Sequence, residues 1–128
     1  MMQSRVALAL LSLTLVLSAS TLAMGAEPTV LRVIVIETEN VDAYVKEVER
    51  GKAMLKSRGS PAELRIWRAS FAGPQAGTVV VSVEYPSLTA LAEDYAKLSA
   101  DSEYQTWLKG LDKIRKIVSD SLYNELSP

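Results

Sequence analysis

The sequence predicts an α+β domain with the element order β-α-β-β-α-β, on three observations. Residues 78–85 (TVVVSVEY) are dense in β-branched side chains, which suit a packed, pleated strand. Pro86-Ser87 stops that strand, and Leu88, Leu91, Ala92, Tyr95 and Leu98 then recur at helical spacing. An earlier pair of the same form, an apolar run over 29–37 and a helical period from Val41, begins the chain's first half.

Residues 29–37 (TVLRVIVIE) are nearly continuous in apolar side chains, as for a central strand, and Arg32 interrupts one face. Thr38-Glu39-Asn40 turns the chain, with Asn40 as N-cap of a helix running to about Arg58. Val41, Tyr44, Val45, Val48 and Leu55 form its inner face, and Gly51 falls on the same face. Glycine costs about 1 kcal/mol against alanine inside a helix, so Gly51 provides space, either for close approach to the sheet or for a ligand. Gly59 ends the helix. Residues 62–71 (AELRIWRASF) form the second strand, and the Gly- and Pro-containing turn 72–77 joins it to the third as a hairpin. Pairing Phe71 with Thr78 sets Arg65 near Glu84 and Trp67 near Ser82, and gathers Leu64, Ile66, Val81, Val83 and Tyr85 on one apolar face. A one-residue slip would reverse these faces. Ser87 caps the next helix, and Asp101 restarts it, carrying Tyr104, Trp107, Leu108 and Leu111 on one side. Residues 117–126 are expected as the last strand, with an extension of the preceding helix as the alternative.

This order is the ferredoxin-like arrangement: a four-stranded antiparallel sheet with its helices on one face. The other face carries Val, Leu and Trp where a solvated sheet would be polar, so a partner, most simply a second copy, is expected to cover it.

The 128 residues contain no histidine and no cysteine, with 14 basic and 15 acidic side chains. These absences exclude a Ser-His-Asp triad, an imidazole metal site, His-ligated haem, a thiolate nucleophile and disulfides. Near-neutral charge argues against nucleic acid. The short basic run Lys113, Arg115, Lys116 reads as a complement to a helix C-terminus rather than an anion site. Arg5, the apolar run 6–17 and the small residues Ala23, Gly25 and Ala26 read as an export signal over 1–26. The mature domain, 27–128, is then expected in the periplasm or outside the cell, with no membrane anchor. No cofactor or metal is expected.

Candidate ligand-pocket residues are Tyr44, Gly51, Arg68, Tyr85, Tyr95, Tyr104 and Trp107, with Arg32 or Arg68 to hold an anionic group. The tyrosines could equally be core residues with their hydroxyls at the rim. Arg65, Trp67, Ser82 and Glu84 are the candidate interface residues. Glu84, on a strand otherwise rich in valine, is either an interface ion-pair partner of Arg65 or, if buried, a base.

Leu98-Ser99-Ala100-Asp101-Ser102-Glu103-Tyr104-Gln105-Thr106-Trp107-Leu108, with the element order, resembles the dimeric α/β-barrel superfamily, whose members carry a helix, a short break and S-x-x-F/Y-x-x-W/L before the last strand. The NIPSNAP-like and antibiotic-biosynthesis-monooxygenase-like groups are the most similar in general appearance. The resemblance implies a homodimer with two sheets facing each other and a ligand cleft between each sheet and its helices. The lack of any nucleophile–base pair, metal cluster or phosphate loop favours a non-enzymatic domain for small-ligand binding or interaction; the alternative is a cofactor-independent monooxygenase or isomerase acting on a small apolar or aromatic molecule. Haem-using members need a histidine that this chain lacks. Trp67, Arg68, Tyr85 and Tyr95 are of the types that hold aromatic substrates, without a position-by-position match.

Overall fold

The computed structural model of the chain describes residues 27–127; the expected export signal lies outside them. The elements are β1 (Val30–Glu37), α1 (Val41–Ser57), β2 (Glu63–Arg68), a 3-10 turn at Gly73–Gln75, β3 (Val79–Tyr85), α2 (Leu88–Ser99), α3 (Ser102–Asp112) and β4 (Lys116–Asn124). The sheet order is β2-β3-β1-β4, antiparallel throughout. This is the ferredoxin-like α+β fold.

Side-chain caps set the helix boundaries. Asn40, Ser87 and Asp101 each accept a hydrogen bond from the backbone N–H three residues on, at 3.0 Å. Asp101 also receives the Arg58 guanidinium from the end of α1. At that end Gly59 takes φ +67°, and Ser60 N–H closes on the Leu55 carbonyl at 3.1 Å, a Schellman closure that favours glycine.

The core lies between the sheet and the helices. Val30, Ile34 and Ile36 of β1 alternate inward, with Leu64 of β2 and Val79, Val81, Val83 and Tyr85 of β3. They meet Tyr44, Val48 and Leu55 of α1, Leu91 and Leu98 of α2, and Trp107 and Leu111 of α3. The opposite face of the sheet carries Leu31, Val33, Val35, Trp67, Val80, Ser82 and Glu84 by the same alternation.

The β2–β3 register differs from expectation by two residues. Glu63 lies opposite Glu84, Arg65 opposite Ser82, and Trp67 opposite Val80. The reason is the hairpin loop: Ala69 N–H bonds the Thr78 carbonyl at 2.9 Å and Gly77 N–H bonds the Ala69 carbonyl at 2.7 Å, so pairing ends there. Phe71, expected inside the ladder, is fully exposed beyond it. A two-residue shift keeps every side chain on its face, so Leu64, Ile66, Val81, Val83 and Tyr85 still share the helix-covered side. The expected Arg65–Glu84 pair is not made; Arg65 instead meets Glu63 at 3.3 Å. Trp67 reaches Ser82 diagonally, its Nε1 donating to Oγ at 2.8 Å. The last strand ends at Asn124, and Leu126 is fully exposed outside it.

Candidate ligand cavity

A cavity of about 240 Å³ opens between the sheet and the helices. Its apolar wall is built by the inward positions of the strands, including Ile34, Leu64, Val81 and Val83, and by Val48 and Leu55 of α1. Its polar groups, which include Asp112 at the end of α3, come from five elements and the turn before β4. Tyr44 is on α1, Tyr85 on β3, Tyr95 on α2 and Tyr104 on α3, with Arg32 on β1 and Arg115 just before β4. Five of the seven pocket candidates, the four tyrosines and Trp107, therefore line one space.

The other two do not. Gly51 is buried under the Trp107 ring, which fills the space that the missing side chain leaves. It permits close approach, but of helix α3 rather than of the sheet. Arg68 shares the helix-side parity of Leu64 and Ile66 yet lies at the sheet edge. There it lines a wider groove of about 510 Å³ between β2 and α1, with Val41, Val45, Glu49 and Lys52. A guanidinium at the end of an edge strand reaches water rather than the cavity.

Each hydroxyl in the cavity has a distinct setting. Tyr85 donates to the buried Asp94 Oδ2 at 2.6 Å, and Ser60 donates to the same oxygen at 2.7 Å. Burial, and next this hydrogen bond to a carboxylate, push the Tyr85 phenol well above the usual tyrosine range. Tyr95 accepts from Arg32 Nη1 at 2.7 Å and meets the Tyr85 ring edge-on at 6.0 Å. Tyr44 accepts from Arg115 Nη1 at 3.2 Å. The Tyr104 hydroxyl has no hydrogen-bond partner among the described residues, while no sealed side-chain polar atom lacks one. It is therefore open to whatever enters. Burial and then Tyr95 raise its phenol, opposed by Arg32 and Arg115.

The arginines are balanced unequally. Arg32 grips Asp120 of β4 with Nε at 2.8 Å and Nη2 at 2.5 Å, a two-pronged pair. That hydrogen bonding holds the Asp120 carboxyl below the ordinary carboxylate range and raises the Arg32 guanidinium. Arg115 bonds Asp112 through one oxygen only, at 3.2 and 3.3 Å.

Arg32 was legible as a break in an apolar strand. Asp94 carried a signal too, standing three residues after Leu91 and four before Leu98 on the buried side of α2. Arg115 carried none. Read as part of a charge run complementing a helix end, it instead lies beyond the α3 C-cap with its side chain turned inward. The interface candidates Arg65, Trp67, Ser82 and Glu84 share the helix-free face of the sheet. Among the described residues no cluster of acidic side chains could hold a metal ion, and no helix is long and apolar enough to cross a membrane.

No protein-family model and no curated protein matches the chain. Solved structures do. The chain is similar to a variant of SnoaB, a cofactor-independent oxygenase from Streptomyces nogalater, with TM-score 0.59 and 11% identity over 79% of this chain and 96% of that one. It is similar to a NIPSNAP family protein from Agrobacterium tumefaciens, with TM-score 0.58 and 17% identity over 80% and 88%. A third structure, from a Bacteroides thetaiotaomicron protein of unknown function described as a possible oxidoreductase, matches with TM-score 0.52 and 8% identity over 78% and 100%. At these identities the likeness is one of fold. That fold is the ferredoxin-like one.

Proposed function

We propose that the protein is an exported, homodimeric domain that binds a small, largely apolar or aromatic molecule in the cavity between its sheet and its helices. The observation that carries the binding reading is an apolar-walled cavity holding an unpartnered tyrosine hydroxyl, Tyr104. Apolar walls with a few convergent polar groups are the usual make-up of small-molecule sites. Its 240 Å³ equals about eight water volumes at ~30 Å³ each, which suits a molecule of one or two rings.

SnoaB suggests a second reading, a cofactor-independent oxygenase or isomerase. Such chemistry needs a group that removes a substrate proton near neutral pH. Tyr85 and Tyr104 are held above the ordinary phenol range, and Asp94 already accepts from two hydroxyls. This supports binding over turnover.

The pairing reading rests on the helix-free face, where Leu31, Val33, Val80 and the half-exposed Trp67 remain without cover from the chain's own helices. The export reading rests on the composition of residues 1–26 alone.

Calorimetric titration with 2-naphthol tests the cavity. Binding is expected in the native protein and its loss in Leu108→Trp, which fills the cavity from a partly buried position. Equal binding by both proteins would place the ligand elsewhere, and no heat or thermal shift with any one- or two-ring compound would sink the binding reading.

A further inference from the structure

The cavity holds a cation whose charge is only half answered. Arg115 lies in the turn between α3 and β4. There Ile114 N–H bonds the Leu111 carbonyl at 3.0 Å, and Thr38 Oγ1 donates to the Ile114 carbonyl at 2.7 Å. The turn is thus pinned on both sides, and the Arg115 side chain is only 7% exposed while its partner Asp112 is 59% exposed. Nε and Nη2 both approach the single oxygen Oδ1, at 3.3 and 3.2 Å, long for a charge-assisted bond. The third bond, from Nη1, goes to a neutral phenol, Tyr44.

A guanidinium has five N–H donors, so further donors remain on Arg115 beside the open volume. Burying a charge is costly unless it is paired, and the carboxylate that pairs this one is mostly in water, where its field is weakened. Arg32 contrasts with it, being matched by both oxygens of Asp120. Tyr104 adds an O–H donor in the same cavity, and its phenol responds to both arginines. Arg115, with donors to spare, and the unpartnered Tyr104 hydroxyl thus line the same cavity as the apolar Val48, Leu55, Leu64 and Val83, and the Asp112 carboxylate beside Arg115 is mostly in water.

We infer that the ligand of this cavity is a small aromatic or alicyclic acid, bound as its anion. The acid group lies against Arg115 and the Tyr104 hydroxyl, and the ring system lies among Val48, Leu55, Leu64 and Val83. This rests on the reading of the cavity as a ligand site, and it adds the chemical class and the orientation.

Titrating the protein at neutral pH with 2-naphthoate and with 2-naphthamide tests it, since the two share a shape and differ in charge. The acid is expected to bind about tenfold more tightly, with the preference shrinking as salt is raised. Arg115→Gln is expected to abolish the preference while leaving the amide's affinity in place. Tyr104→Phe, which removes a single unpartnered oxygen and leaves the packing intact, is expected to weaken the acid several-fold, and it serves if the arginine variant fails to fold. Equal affinity for acid and amide would overturn the anion inference and leave the cavity reading standing. Binding of neither compound would overturn both. A preference that survives in Arg115→Gln, or a Tyr104→Phe protein that binds the acid like the native one, would overturn the assignment of these groups.

Discussion

The indole of Trp107 occupies the place where a side chain on residue 51 would begin: a Cβ on Gly51 would lie 1.9 Å from Cζ2 and 2.4 Å from Cη2. The same indole donates from Nε1 to the Glu47 carbonyl at 2.9 Å, one turn earlier on α1. A missing side chain on one helix and a large one on another thus lock α1 to α3. Trp107 also stacks at a tilt on Tyr104, 5.3 Å between ring centres, so this lock sets one wall of the cavity.

Gly51→Ala should therefore destabilise the protein, although alanine is the better helix former by about 1 kcal/mol. Overpacking a closed contact costs about 1–3 kcal/mol, and here the obstacle is a buried ring held by a hydrogen bond. Urea unfolding of Gly51→Ala, Trp107→Leu and the double variant would measure it. The two changes should couple, with Gly51→Ala neutral or stabilising once the indole is gone.

Asp120 should shape stability in acid. The hydrogen bonds from Arg32 hold its carboxyl below the ordinary aspartate range, so its contribution is complete above the unfolded pKa and is lost as pH falls through the lower folded value. Thermal melts between about pH 4 and pH 2 should fall less steeply for Asp120→Asn than for the native protein. At neutral pH the variant should already be less stable. An unchanged acid slope would mean that the Arg32 pair contributes nothing to folding.

Glu84 and Glu63 lie directly opposite each other on β3 and β2. Like charges in that relation are destabilising, and cross-strand pairs are worth roughly 0.2–1 kcal/mol. Glu84→Gln should raise stability by a few tenths of a kcal/mol, in contrast to the loss expected of a broken ion pair. Denaturant midpoints of the two proteins would decide, and a clear loss would reveal a partner for Glu84 outside this chain.

The open sheet face makes a sharp prediction for association. Val33→Lys, in the middle of β1 on that face, should halve the mass seen by light scattering while leaving the circular dichroism of the fold unchanged. Burying an unpaired ammonium between two sheets is costly, whereas in a monomer it would stand in water. A native protein that is already monomeric would refute the pairing.

Local pattern alone determined much of this protein. The apolar and β-branched runs of β1 and β3, the 3.6-residue period of the helices and the caps Asn40, Ser87 and Asp101 depend on near neighbours, and they established the elements and their order. The gathering of Tyr44, Tyr85, Tyr95, Tyr104 and Trp107 around one space followed, because each lies on the apolar face of its own element. The tertiary structure decided what depends on atoms distant in the chain. The hydrogen bonds of the 69–78 loop chose a register two residues from the expected one, a choice to which side-chain alternation is blind because both registers keep the same faces. Only packing revealed that the gap at Gly51 belongs to an indole 56 positions later. Only the pinned turn after α3 revealed that Arg115, in a segment with no periodicity to orient it, brings a guanidinium inside.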